Sequence, residues 1–326
     1  VRGDSDYLTE VNGGKVSVFF TAPHYNVPTA QWQTWRRPRN ASMIYIFALG
    51  SGGGGGHGCE EIDSAVNRGG GGAGGSAASC SLLIPAARVP DVLYVNVAPP
   101  GIGAGPGDGH NGTPGFLTYV SVERNQTAAA YLMLRSGAVA AGAGLISNSS
   151  AGGLCVNAGG IATATGAMGM GQGHWRAIAG QEGTSGADAG ASPLNVDYAP
   201  GTICTGGAGG GSAVVGTGDT AGGDINAFGR YPKVQGGAVL GGAGNSGFNL
   251  LFDARGQLNN DYFMTTGGAG GGGWGASPDK GGDAGDGGYG SGGGGGGAGG
   301  TSGLDLGNFF QHGGWGGSGL VIIVAR

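Results

Sequence analysis

Short apolar runs, rich in β-branched and aromatic residues, crowd the first 140 residues, and glycine or proline closes most of them. Val16-Ser-Val-Phe-Phe20 is followed by Trp32-Gln-Thr-Trp35 and by the run over 42–49, with Pro38 forcing an extended or turn geometry between the last two. Ser81-Leu-Leu-Ile84 stops at Pro85, and the run over 91–97 stops at Pro99 and Pro100. Phe116-Leu-Thr-Tyr-Val-Ser-Val122 and Ala130-Tyr-Leu-Met-Leu134 complete the series. No segment carries apolar residues at helical spacing with capping residues at its ends. Short strands with such punctuation predict an all-β fold, with a jelly-roll-like β-sandwich over 15–140.

From 141 to 317 small residues dominate, interrupted by isolated aromatics at Trp175, Tyr198, Phe228, Tyr231, Phe248, Phe252, Tyr262, Phe263, Trp274 and Tyr289. Leu320-Val-Ile-Ile-Val324 then returns as an apolar β run. Left exposed, it would be an aggregation site, so it must pair into a sheet, and the sheet on offer is the N-terminal one. The chain therefore divides into a polar arm over 1–14, the sandwich over 15–140, a glycine-rich excursion over 141–317 and a returning strand over 318–326.

Composition changes the picture of the excursion. Glycine accounts for 84 of 326 residues, including the unbroken runs 52–56 and 292–297, with no strict Gly-X-Y period. Collagen is excluded by that lack of period, and the 11% of charged residues argues against a highly charged disordered chain. Glycine loses the most conformational freedom on folding and has no side chain to bury. Ordered glycine tracts must therefore be held by backbone hydrogen bonds between neighbouring segments. Polyproline II-type helices permit this, because they have no internal bonds and leave each N–H and C=O for a neighbour. A packed array of polyglycine II-type helices is the expected state of much of 141–317.

The formal net charge of −5 gives no footprint for nucleic acid, and the one basic cluster, Arg36-Arg37-Pro38-Arg39, reads as a solvated turn or an interface patch. No apolar stretch is long enough for a membrane span, and the first residues carry no signal-peptide pattern. Cys59, Cys80, Cys155 and Cys204 have no zinc-ligand spacing and read as small apolar thiols, with a disulfide left open. His24, His57, His110, His174 and His312 are scattered, so neither a metal nor a cofactor is expected. The glycines of 50–56 follow a strand but lack the Lys-Ser/Thr of a phosphate loop. Asp279-Lys-Gly-Gly-Asp283-Ala-Gly-Asp286 has the look of a calcium loop without a sustained repeat, and reads as a solvated turn. No nucleophile elbow stands out, and the acidic residues give no positive sign of a glycosidase pair, so an enzyme is not expected.

The order of landmarks resembles the glycine-rich domain of bacteriophage tail fibres and other virion proteins, marine-phage type. Those landmarks are Trp32-Gln-Thr-Trp35, Pro38, Met43-Ile-Tyr-Ile-Phe47, the glycines of 50–56, Leu83-Ile-Pro85, Leu93-Tyr-Val-Asn-Val97, Gly101-Ile-Gly103 and the segment over 316–323. Arg39-Asn40 departs from the glycine that often follows Trp-x-x-Pro in that family. The resemblance implies a virion structural protein assembled in the host cytoplasm, commonly a homotrimer or another homo-oligomer. Its partners would be other virion proteins and a host cell-surface receptor, glycan or protein. A tail fibre or receptor-binding adhesin is the leading expectation, and a capsid decoration or head-fibre protein the alternative. The aromatics of the glycine region either plug gaps between helices or form a contact surface. The candidates for contact are Met168, Met170, His174, Trp175, Tyr231, Tyr262 and Phe263. An ice-binding face would rest on Ala162-Thr-Ala-Thr165 alone, which is too little.

Overall fold

The computed structural model describes residues 9–11, 14–21, 32–61, 68–105, 111–136, 173–188, 190–214, 218–228, 232–249, 264–274, 281–300 and 312–326. The protein is all-β, with two antiparallel sheets. Strands β1 (Thr9–Val11), β2 (Gly14–Phe20), β4 (Met43–Leu49), β6 (Ser79–Pro85), β10 (His174–Ile178) and β12 (Leu320–Ala325) form a six-stranded sheet in the order β1-β2-β12-β4-β6-β10. Strands β3 (Trp32–Arg36), β7 (Val92–Asn96), β8 (Tyr119–Ser121) and β9 (Leu132–Arg135) form a four-stranded sheet in that order. A short parallel pair joins β5 (Glu60–Glu61) to β11 (Gly299–Gly300).

The returning strand does pair with the first sheet. β12 lies antiparallel between β2 and β4, with Ile322 opposite Val18 on one side and Phe47 on the other. Its Val321, Ile323 and Ala325 belong to the main core with Ile44, Ile46, Leu82 and Ile84 of the same sheet and Trp35, Leu93, Val95, Val120 and Leu134 of the other. Leu320 and Ile322 point the opposite way, into a second cluster with Val16, Val18, Phe47, Leu49 and Cys204. A strand buried on both faces needs a continuous apolar run rather than an alternating one, which is why 320–324 reads as it does.

Several strand expectations shift in the structure. β8 begins only at Tyr119, because Phe116 is held outside the sheet by Ser51: the Ser51 N–H donates to the Phe116 carbonyl at 3.0 Å, and the Phe116 N–H donates to Ser51 Oγ at 2.7 Å. The run at 130–134 opens with a 3-10 turn, Ala129–Tyr131, before β9. β1, inside the predicted polar arm, and β5, β10 and β11 have no counterpart among the predicted runs. In the basic cluster, Arg36 and Arg39 are exposed, whereas Arg37 is tied down by an ion pair with Asp91 and a bond to the Ala86 carbonyl.

Several strands run directly into glycine backbone. β4 continues into 51–59 and β7 into 98–104, while 68–77 leads into β6 and 312–319 into β12, with no turn between. Along 51–59 the backbone partner changes with each residue and repeats every third one. Gly53, Gly56 and Cys59 donate to Gly75, Gly72 and Gly69; Ser51 and Gly54 donate to Phe116 and Thr113; Gly52 and Gly55 donate to Gly317 and Gly314. Three faces at three-residue spacing match a period of three residues per turn, that of polyproline II, and differ from the two faces of a strand.

The run 292–297 occupies the centre of this bundle. Its segment donates to 205–211, to 53–59 and to 282–285, and accepts from 71–74, from 268–274 and from 314–317. Six neighbours surround one backbone, each reached by bonds three residues apart. Such approach leaves no room for a side chain. A Cβ on Gly294 would lie 2.2 Å from the Ala269 carbonyl oxygen, and one on Gly295 would lie 2.0 Å from that of Gly71.

At the rim, where a neighbouring carbonyl is missing, side chains take its place. Thr184 Oγ1 accepts from Gly209 N at 2.9 Å, Asp224 Oδ1 from Gly236 N at 2.7 Å, and Asn249 Oδ1 from Tyr289 N at 2.6 Å. Asp283 and Asp286, the suspected calcium loop, do the same for His312 N at 3.0 Å and Trp315 N at 2.8 Å. Asp286 is exposed, as the solvated-turn reading has it, but no turn forms there and both carboxylates hold neighbouring backbone; Asp279 lies outside the described residues.

Where sheet meets glycine bundle, the main-chain geometry changes and hydroxyls fill the mismatch. Buried Ser76 accepts from Gln181 N at 2.6 Å and donates to the Cys204 carbonyl at 3.2 Å. Buried Thr265 donates to the Tyr289 carbonyl at 2.6 Å, and Thr118 Oγ1 accepts from Ala98 N at 3.1 Å. Among the described residues no helix is long and apolar enough to cross a membrane.

Candidate contact surface

Of the seven candidates, the described residues include His174 and Trp175; Met168, Met170, Tyr231, Tyr262 and Phe263 lie outside them, as does Ala162-Thr-Ala-Thr165. His174 and Trp175 open β10, at one end of the strand order of the six-stranded sheet. Cross-strand register puts Leu83 opposite both His174 and Tyr45, so these three line one row across β10, β6 and β4. Tyr45 and Leu83 are 38% and 39% exposed, which leaves an open apolar stripe on this part of the sheet. Trp175, one residue along, is 41% exposed, with Leu82 as its cross-strand partner.

The other aromatics of the glycine region divide between the two fates. Tyr289 plugs the junction, its ring 5.7 Å from that of Phe20, and Phe248 packs against a small cluster made by Val196, Ala208, Ile225, Val234 and Ala269. Tyr198 and Phe228 instead stack on each other at 4.8 Å, with Phe228 49% exposed. They sit on two parallel segments joined at Val196 and Ile225, whose side chains are buried, while Asn195 and Asp197 are exposed and Asp224 and Asn226 half-buried. Val196 N donates to the Asp224 carbonyl at 2.8 Å, and Asn226 N donates back to the Val196 carbonyl at 2.9 Å. On the same two segments, Asn226 Nδ2 donates to Asp197 Oδ1 at 2.8 Å. The Tyr198 hydroxyl donates to the Thr202 carbonyl, which fixes its ring. Both rings stand among the isolated aromatics of the glycine region, and neither is among the seven contact candidates. The available signal was the polar residue close before each, Asp197 and Asn226.

Burial favours the neutral form of the Cys80 and Cys204 thiols. Burial pushes Cys80 up to about 12 against a modest opposing pull from Arg135, and it pushes Cys204 to about 12 against hydrogen bonds from Thr265 and Ser291. Cys59 is likewise a buried thiol, and Cys155 lies outside the described residues. The His57 and His312 rings lie 6.5 Å apart, yet no group of three or more His, Cys, Asp or Glu is placed to hold a metal among the described residues.

No protein-family model matches the chain, and no curated protein matches it either.

Proposed function

We propose that the chain is a bacteriophage virion structural protein of the tail-fibre or receptor-binding adhesin type, acting by non-covalent recognition of the host surface. The observation that carries this reading is the glycine bundle with six neighbours around 292–297, grown directly from sheet strands. A body held by its own backbone is stiff, and it leaves the side chains at its rim and turns to serve contact. Stiff presentation lowers the ordering cost of binding, and several copies in a homo-oligomer would add avidity. The order of landmarks, which resembles that of phage glycine-rich domains, points the same way. In this reading the chain resides on the virion, its sandwich meets other virion proteins, and it works without cofactor or catalysis.

The Tyr45–Leu83 stripe on the sandwich supports a second reading, a capsid decoration or head-fibre protein docked through that face. Cryo-EM of the virion separates the two. Density for the chain on the tail, together with loss of host adsorption when the chain is removed, is expected for the adhesin. Density on the shell lattice would replace it by the second reading, and absence from the virion would end both.

A further inference from the structure

We infer that the Tyr198–Phe228 stack and the adjoining Asp197–Asn226 pair form a binding site for a neutral glycan. The inference rests on the adhesin reading for its biological setting, but its geometry stands apart from it. A pyranose has an apolar face of C–H groups and a rim of hydroxyls that both donate and accept. The half-exposed Phe228 ring, backed at 4.8 Å by Tyr198, offers a flat apolar platform of matching size. Asn226 and Asp197, two residues before Phe228 and one before Tyr198, are locked together at 2.8 Å, so an amide and a carboxylate are held in fixed relation to each other on the two segments that carry the rings. The carboxylate keeps further acceptor positions and the amide a second N–H, the donor–acceptor combination that adjacent sugar hydroxyls require.

The platform is also preorganised. Val196 and Ile225 anchor its two segments in the small cluster below, and the Gln181 side chain donates to the Asp197 carbonyl. Binding would therefore order little that is not already ordered. Competing ligands fit less well. An apolar peptide side chain on Phe228 would desolvate the Asp197 carboxylate without satisfying it. Phosphate-bearing or sialylated ligands would meet that same negative charge on a chain of formal net charge −5.

The test is titration of the purified full chain with cellotriose, maltotriose, N-acetylchitotriose and the anionic 6′-sialyllactose. Binding of at least one neutral trisaccharide, more weakly matched by the sialylated one, is expected. Phe228→Ala and Asp197→Ala should each lower that affinity by about tenfold or more, with the thermal unfolding midpoint unchanged. Tyr131→Ala, an exposed aromatic in the 3-10 turn before β9 of the four-stranded sheet, should leave it unaltered. Failure of the wild-type chain to bind any neutral sugar at millimolar concentration overturns the inference, as does binding that survives both substitutions. Neither result bears on whether the chain lies on the tail, which the virion map decides separately.

Discussion

The sandwich and the glycine bundle are built on opposite rules. In the sandwich, side chains hold the main chain together: Ile44, Ile46, Ile84, Leu93 and Ile323 are fully buried between sheets, and the backbone pairs within each layer. In the bundle the main chain holds itself, and successive residues of 292–297 reach different neighbours, returning to the same one every third residue, because nothing stands between them. The sandwich therefore suffers when atoms are removed, and the bundle when atoms are added.

The sharpest break in that contrast comes from Gly294→Val. Its Cβ would meet the Ala269 carbonyl oxygen at 2.2 Å, and backbone on all sides prevents relief. The cost should exceed about 5 kcal/mol, enough to remove most of the stability of an ordinary domain. Denaturant unfolding should show no cooperative native transition. Gly218→Ala is the matched control, because nothing lies within 4 Å of its Cβ position. A Gly294→Val chain that unfolds like the wild type would show that the bundle does not depend on close backbone approach.

Ile323→Ala tests the other rule. Ile323 is fully buried on β12, and truncation should cost about 2–5 kcal/mol through lost burial and the cavity left behind. The denaturant midpoint should fall with the slope unchanged. If Ile323→Ala were harmless, the return of β12 would be a passive end of the chain and no part of the core.

How far these two regions were legible follows from what each uses as its code. β2, β4, β7 and β12 are written in apolar side chains, so Val16, Ile44, Leu93 and Ile323 announce both strand and burial. β10 was hidden because His174, Trp175 and Arg176 are all exposed and leave no alternating pattern to read. The bundle is hidden more deeply. Glycine announces close approach, but no side chain specifies which neighbour it approaches, and a period of three fits many registers equally well. Nothing in 292–297 says that it is central or that 53–59 and 205–211 flank it. The contact surface fared likewise: Tyr198 and Phe228 are 30 positions apart in the sequence, and only the pairing of 196 with 225 brings them together.

A smaller effect probes the seam between the regions. Cys80 lies in the sandwich core and Cys204 at the junction, each pushed up to about 12 chiefly by burial. Below the ordinary thiol value of 9.0, both folded and unfolded chains carry the neutral thiol and the contribution is fully present. Above it the unfolded chain ionises first, so stability falls as pH rises from 9 towards 12. The loss should reach about 1 kcal/mol per thiol near pH 10. A chain carrying Cys80→Ala and Cys204→Ala should lose less stability between pH 8 and pH 10 than the wild type. Equal slopes would mean that these thiols open to solvent well before global unfolding.

The smallest effect lies at the rim, where the two rules meet. Ala284 N and Gly287 N donate to the carbonyls of His312 at 2.9 Å and Trp315 at 2.7 Å. The return bonds come from His312 N and Trp315 N, and they end on the carboxylates of Asp283 and Asp286. A side-chain oxygen is here completing a main-chain lattice. What matters is an acceptor at the right distance, more than its charge. Asp286→Asn keeps an oxygen in reach and should change stability by less than about 0.5 kcal/mol, whereas Asp286→Ala leaves Trp315 N without this acceptor and should cost about 1 kcal/mol. Hydrogen exchange at Trp315 N should rise in the alanine variant alone. If asparagine proved as damaging as alanine, the negative charge would be holding the segment, and the bundle would owe its edge to electrostatics more than to hydrogen-bond geometry.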